Sequence, residues 1–445
     1  MNWRRLFPII FLFTCVDGFI GNWLYPAKLP FLYKDIFILI VYAFFSLQEY
    51  GQQWLPKFKK SIGFNIWHLA ILLMLLGGFQ IFNPGVPRIE VGILGFKVMF
   101  FYWPLAILAY AYVDSFERLR GLIKKIVYFS IPICLFGLYQ FWRGPDYMVK
   151  TFGRGFERAI IMASIGGRER TFLRVFGTFA STGQFSCFLT INAMFIFALL
   201  FTAKNIFERR LLNGCALLNF ITLLATGSRG SLAVVLITGF VFLVLCRRFW
   251  RRIVFAFVLA TSLYLGFSYL GRAVVLRFET LKDREMVKLR TIGITRATFL
   301  DYLERYPFGH GLGTGTTASR HLLGKGRGGW QVKGRGLGWQ LIENYPAKLQ
   351  YEMGILGVII FYLLLINLTI RWIKYWVKLI DPTIFIFSAA LSSSFLIIFW
   401  TSLISVIDTP PFGIFLWAGV GMVAKLATLQ SNAEPLIQEE TYALR

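Results

Sequence analysis

LLNGCALLNFITLLATGSRGSLAVVLITGFVFLVLC, residues 211–246, decides how this chain is read: it holds one charge in 36 residues, Arg229. Two apolar runs flank the short break Thr226-Gly227-Ser228-Arg229-Gly230-Ser231, and each is long enough to cross or nearly cross a bilayer. An arginine at bilayer depth costs roughly 2.5–3.5 kcal/mol even on lenient insertion scales. A break this tight leaves the guanidinium little room to reach bulk water. A cation held at such a place points to anionic headgroups or phosphates as its partners.

The same pattern extends outward along the chain. Of its 445 residues 57% are hydrophobic and 18% aromatic, far above a soluble domain. Apolar runs recur over nearly the whole length, whereas alternating ten-residue strands do not, so the expected class is all-α and polytopic rather than an outer-membrane barrel. Twelve transmembrane helices are expected, at about 6–24, 31–47, 64–82, 92–113, 121–141, 183–202, 212–226, 230–246, 253–271, 347–370, 383–405 and 411–428. The first is read as an uncleaved span, because Arg4 and Arg5 make a basic start but no small-x-small cleavage site follows.

Charge sets the orientation. With residues 1–5 in the cytoplasm, the short inner segments hold nineteen basic residues, among them Lys57, Lys59, Lys60, Arg120, Arg209, Arg371 and Lys374. The short outer segments hold four: Lys28, Lys34, Arg88 and Arg229. The positive-inside rule then puts both termini in the cytoplasm. Most of the +25 net charge is thereby topological, and a nucleic-acid partner is not needed to explain it.

This divides the chain into a five-span region at 1–141, a core region at 142–271 with an outer loop at 142–182, a large extracytoplasmic loop with short helices at 272–346, three spans at 347–428, and a polar tail at 429–445 expected to be a disordered cytoplasmic end. Loops as long as the two outer ones escape the charge rule. They carry net charges of +4 and +7, which suit either anionic headgroups or a groove for an acidic or phosphate-bearing substrate.

Within the large loop, residues 286–306 read as an amphipathic helix ended by Pro307. At about 100° per residue, Leu289, Ile292, Phe299, Leu300 and Leu303 share a face, and Arg296 falls in its middle. A snorkelling or structural arginine is the plain alternative to a functional one. Alternating glycines follow in Pro307-Phe308-Gly309-His310-Gly311-Leu312-Gly313-Thr314-Gly315, a pattern for tight turns and close backbone approach. No Gly-Lys-Ser/Thr follows, so it is not a nucleotide P-loop. The loop closes on Glu343-Asn344-Tyr345-Pro346. Glu343 has no cation at helical spacing and suits either a general base or a helix-start carboxylate. Glu352 has Lys348 four residues before it, which suits a structural ion pair.

The five cysteines all lie in apolar segments, and the three histidines lack metal-ligand spacing, so neither a disulfide framework nor a metal site is indicated.

Three segments, in order, carry a resemblance. They are Arg174-Val175-Phe176-Gly177-Thr178-Phe179, then Thr226-Gly227-Ser228-Arg229-Gly230, then Arg296 with the glycine turn leading to Glu343-Asn344 and Glu352-Met353-Gly354-Ile355-Leu356-Gly357. Over roughly residues 170–370 the chain resembles the O-antigen ligase/polymerase superfamily. Its members transfer lipid-linked glycans on the outer face of bacterial inner membranes. The chain departs at Ser181-Thr182-Gly183-Gln184, where members often have Pro-Asn. It also has Glu343 where ligases carry a histidine, which tilts the reading toward a polymerase.

The resemblance implies a polyprenyl-pyrophosphate-linked oligosaccharide as donor and a bilayer as partner. Arg174, Arg229 and Arg296 are then the pyrophosphate ligands, through bidentate charge-assisted hydrogen bonds. Glu343 becomes the catalytic base. Trp330, Trp339 and Tyr345 are either sugar-stacking rings or interface anchors. No cofactor is implied, and the outer loops hold no Asp-x-Asp motif, so metal-independent transfer is expected. A flippase and a chain-length regulator are the further partners implied. A ligase and a non-enzymatic flippase or transporter of lipid-linked sugars are the alternatives.

Overall fold

A computed structural model describes residues 2–24, 33–153, 155–157, 160, 164–165, 172–245, 294–316, 319, 345–379, 381–401 and 411–431. Over these residues the chain is overwhelmingly helical; one two-residue antiparallel ladder pairs β1 (Ser164–Ile165) with β2 (Phe172–Leu173). In chain order the helices are α1 (Trp3–Trp23), α2 (Tyr33–Gln48), α3 (Trp54–Ile62), α4 (Phe64–Gln80), α5 (Ile89–Phe100), α6 (Leu105–Tyr112) and α7 (Phe116–Phe152). Then come α8 (Thr182–Phe201), α9 (Ile206–Ala225), α10 (Arg229–Leu245), α11 (Ile294–Arg305), α12 (Tyr345–Lys378), α13 (Pro382–Thr401) and α14 (Phe412–Ser431).

Six helices among the described residues are long and apolar enough to cross a membrane, counting Ile89–Tyr112 as one, and seven if α3 and α4 form one bent span. Arg229–Phe240 and Pro382–Ser393 are apolar but shorter. The expected span 253–271 and the tail from 432 on lie outside the described residues; positions 429–431 of the expected tail continue the last helix.

Helix α8 is the hub. It is apolar all round and packs against α7, α9, α10, α13 and α14, as a helix without a solvent face must. Thr190 Oγ1 donates back to the Ser186 carbonyl of the same helix at 2.8 Å, whereas Asn192 reaches two neighbouring helices. Asn192 Nδ2 donates to Ser130 Oγ on α7 and to Asn219 Oδ1 on α9, both at 2.9 Å, and Asn219 Nδ2 returns to the Leu189 carbonyl at 3.0 Å. Such bonds hold membrane helices where apolar contact alone gives no preference over lipid.

Charges deep in α1, α2 and α5 are matched. Lys34 pairs with Asp17, and Lys97 with Asp35, which also accepts from Tyr102 Oη at 2.8 Å. At the basic end, Glu208 joins α7 to α9 by accepting from Arg120 Nη2 at 2.8 and 2.9 Å and pairing with Lys124 at 2.9 Å.

Several elements differ in extent from their expected bounds: α12 runs on to Lys378, past the expected 370, and the expected 92–113 span divides into α5 and α6. Helix α7 runs ten residues past position 142, because Gly144 at φ +75° breaks it and Pro145, suited to a first helical position, restarts it. Helix α9 starts at Ile206, before the apolar run, because Asn205 caps the Glu208 N–H at 2.7 Å and Glu208 accepts the Lys204 N–H at 3.0 Å. Helix α11 covers the later part of the expected 286–306 helix, whose beginning lies outside the described residues.

Candidate functional site

The Ser-Arg-Gly break is a turn between α9 and α10. Gly227 takes φ +61°, a conformation open to glycine at little cost, and its N–H reaches the Leu224 carbonyl at 2.9 Å. Arg229 is the first residue of α10 and half-buried. It therefore stands at a helix N-terminus, where backbone N–H groups and the helix dipole favour an anion.

Arg174 comes to this turn from about fifty residues away. Its Nε donates to the Thr226 carbonyl at 3.0 Å, and the next residue's N–H reaches the Ala225 carbonyl at 3.4 Å. The Arg174 carbonyl in turn accepts from Thr182 Oγ1 at 3.2 Å. Hydroxyls line the same corner: Ser228 Oγ donates to Ser231 Oγ at 2.9 Å, Ser231 to Ser186 Oγ at 3.0 Å, and Ser186 to the Gly183 carbonyl at 3.0 Å. Two arginines, a helix start and three relayed hydroxyls thus meet at one break between apolar helices.

The segment carrying Arg174 is held by partners that sequence reasoning missed. Gln140 Oε1 accepts from the Phe176 and Gly177 N–H groups at 3.3 and 2.9 Å, while its Nε2 donates to the Gly177 carbonyl at 2.9 Å. Thr178 inserts against α1. Its Oγ1 donates to the Cys15 carbonyl and its carbonyl accepts the Phe19 N–H at 2.7 Å, serving two groups one helical turn apart. Gly18 makes this approach possible, since a Cβ there would lie 1.9 Å from the Ala180 nitrogen. No local signal in the sequence announces either contact; only a buried Gln and a helical Gly hint at them.

The glycine turn forms a second polar centre. It is wedged between the end of α4, the start of α5 and a break in α12. Gln80 Nε2 donates to the Phe308 carbonyl at 2.7 Å, and the Leu312 N–H reaches the Gln80 carbonyl at 3.1 Å. Gly354 at φ +72° opens α12, so that the Ile355 N–H bonds to the Pro307 carbonyl at 2.9 Å. Gly309, Gly311 and Gly313 each meet a neighbour's backbone or side chain closely: a Cβ at Gly313 would be 2.1 Å from the Val91 carbonyl oxygen.

Glu352 is buried here and accepts from the Gly315 N–H and Thr316 Oγ1, both at 3.0 Å. Its structural part is therefore played toward the glycine turn. His310 sits beside Tyr306 and Tyr351, with ring centroids 4.8 and 5.2 Å away, and burial lowers its pKa below the ordinary value.

The other expected site residues divide as follows. Arg296 lies on α11, which packs against α12; only its backbone is described. Glu343, Trp330 and Trp339 lie outside the described residues. Tyr345 opens α12 and is buried, its ring 5.0 Å from that of Phe361. Arg174 and Arg229 are thus the two expected ligands whose side chains are described, and they share one turn. No family model and no curated protein matches this chain, so the functional reading rests on the arrangement of its own residues.

Proposed function

We propose that this protein is a membrane glycosyltransferase that polymerises polyprenyl-pyrophosphate-linked oligosaccharide units into a surface polysaccharide on the outer face of a bacterial inner membrane. The observation that carries this reading is the meeting of Arg174 with the Thr226–Arg229 turn at the start of α10. Guanidinium forks and a helix N-terminus within an apolar surround suit a pyrophosphate whose lipid tail stays in the bilayer.

In this account the acceptor sugar hydroxyl attacks the anomeric carbon of the donor. The bond from that carbon to the pyrophosphate oxygen breaks, and the pyrophosphate leaves with the electron pair, still attached to its lipid. Arg174, Arg229 and Arg296 stabilise the charge that develops on it. Glu343 takes the hydroxyl proton. Twelve spans, cytoplasmic termini and an extracytoplasmic 272–346 loop put these four residues on one side, and the basic-residue asymmetry supports that topology.

A transporter of lipid-linked sugars is disfavoured by the pairing of Lys34 with Asp17 and Lys97 with Asp35, which neutralises deep charges that a transport path uses. Reconstitution with a lipid-pyrophosphate-linked oligosaccharide tests the proposal. Chain growth without added acceptor supports polymerisation; transfer only to a second acceptor makes the protein a ligase. Lipid-linked sugar crossing the bilayer with no new glycosidic bond makes it a transporter. Full rate in Glu343→Gln removes that residue from the mechanism.

A further inference from the structure

At the basic end of the molecule, away from the arginine corner, α3 crosses α4 at 107° with Gly63 at the bend. Two cavities adjoin there and share Ile71. One is an apolar pocket of about 180 Å³ between α3, α4, α6, α12 and α14, lined among others by Phe58, Ile62, Trp67, Met74, Trp103 and Trp417. Its size compares with dry protein cavities of about 150 Å³ that take up a benzene ring. The other is an open groove of about 600 Å³ along the exposed face of α4, with Asn65, His68 and Asn367 as its polar members. Asn65 and His68 are in the first turns of α4, and the apolar pocket extends deeper, to Met74.

This order, polar at the basic end and apolar further in, matches an amphiphile standing in one leaflet. The surrounding charge matches an anionic head. Lys59 Nζ lies 4.7 Å from the Trp67 ring, which itself lines the pocket. Lys57 and Lys425 lie over Trp54 at 5.3 and 5.8 Å, and the Arg371 guanidinium reaches within 4.0 Å of a Cβ built on Gly63. The facing carboxylate, Glu49, accepts from Trp54 Nε1 at 3.0 Å and pairs with Arg4. The N-terminus of α4 has no side-chain cap. Helix α3, bent away from its span with Lys59 and Lys60 in its last turn, has the character of an interfacial helix that favours anionic lipid.

We propose that this composite groove binds one anionic phospholipid of the leaflet at the basic end, with an acyl chain in the Trp67–Trp103–Trp417 pocket and the phosphate between Lys59 and the start of α4. The site is separate from the donor site and does not depend on the glycosyltransferase reading.

Native mass spectrometry after exchange into mixed phosphatidylglycerol and phosphatidylcholine tests it on the full-length protein. Wild type is expected to retain phosphatidylglycerol about tenfold over phosphatidylcholine, and Lys59→Gln to cut that preference by about fivefold, the roughly 1 kcal/mol of one lysine near a charged surface. Ala70→Trp, which fills the pocket, is expected to lose the retained lipid while staying monodisperse. Equal retention of the two lipids by wild type overturns the proposal as annular lipid only, and needs no variant to do so. Unchanged retention in a folded Ala70→Trp overturns the pocket assignment.

Discussion

Single residues carry the contacts that join distant parts of this chain, and Gly18 is the sharpest case. A Cβ there meets Ala180 N and Phe179 C at 1.9 Å, and both are backbone atoms that cannot rotate away. Gly18→Ala is expected to destabilise the protein by about 2–3 kcal/mol, as overpacking does. The loss should appear as a lower unfolding temperature in detergent, while Gly121→Ala, inside α7 with nothing within 4 Å, does not lower it. His310 gives a pH signature. Burial holds its imidazole below the ordinary value of 6.5, so folding favours the neutral form. That contribution is full above the unfolded-state pKa and is lost as pH falls from there through the folded value. Thermal stability should therefore drop on acidification from pH 7 to about 5, and His310→Gln should flatten that limb. An acid limb unchanged in His310→Gln contradicts this assignment.

At the scale of elements, the broken helices position the polar centres. Helix α12 is interrupted at Gly354, whose φ of +72° and 2.6 Å Cβ distance to the Pro307 carbonyl oxygen leave room for no side chain. Gly354→Ala is expected to cost about 1–3 kcal/mol in backbone strain alone and to release the glycine turn. Hydrogen exchange should then speed up at the His310 and Ile355 amides, which bond across the break to the Tyr351 and Pro307 carbonyls. What sequence reveals at this scale follows from periodicity and from the cost of stray charge. Helices occupy the expected apolar stretches among the described residues, with 92–113 divided into α5 and α6, and six of them, or seven with the bent α3–α4 pair, are long and apolar enough to cross a membrane, because runs such as 183–202 are apolar throughout. The Ser-Arg-Gly break was legible because one cation interrupts two such runs. The clamp by Gln140, the insertion of Thr178 against α1 and the docking of Glu352 on Gly315 were not, because each joins segments 36 or more positions apart. The i,i+4 spacing to Lys348 gave no hint that Glu352 also accepts from the glycine turn, at Gly315 and Thr316.

At the scale of the whole molecule, charged groups deep among the described helices are paired between elements. Lys34 with Asp17 and Lys97 with Asp35 hold α1, α2 and α5 together. Asp17→Asn alone leaves a buried lysine without its counter-charge and is expected to cost about 3–5 kcal/mol. Pairing it with Lys34→Met should recover most of that loss, which unfolding temperatures of the single and double variants will read; no recovery contradicts the pairing. The central claim concerns the corner where Arg174 meets the Thr226–Arg229 turn, taken as a pyrophosphate site. Its most direct test is the rate of chain growth by reconstituted Arg229→Ala on a lipid-pyrophosphate-linked oligosaccharide, with monodispersity checked alongside. The account predicts a fall of about 10²–10³-fold, the loss expected for one preorganised donor to a developing anion. A folded Arg229→Ala protein that polymerises at the wild-type rate contradicts it.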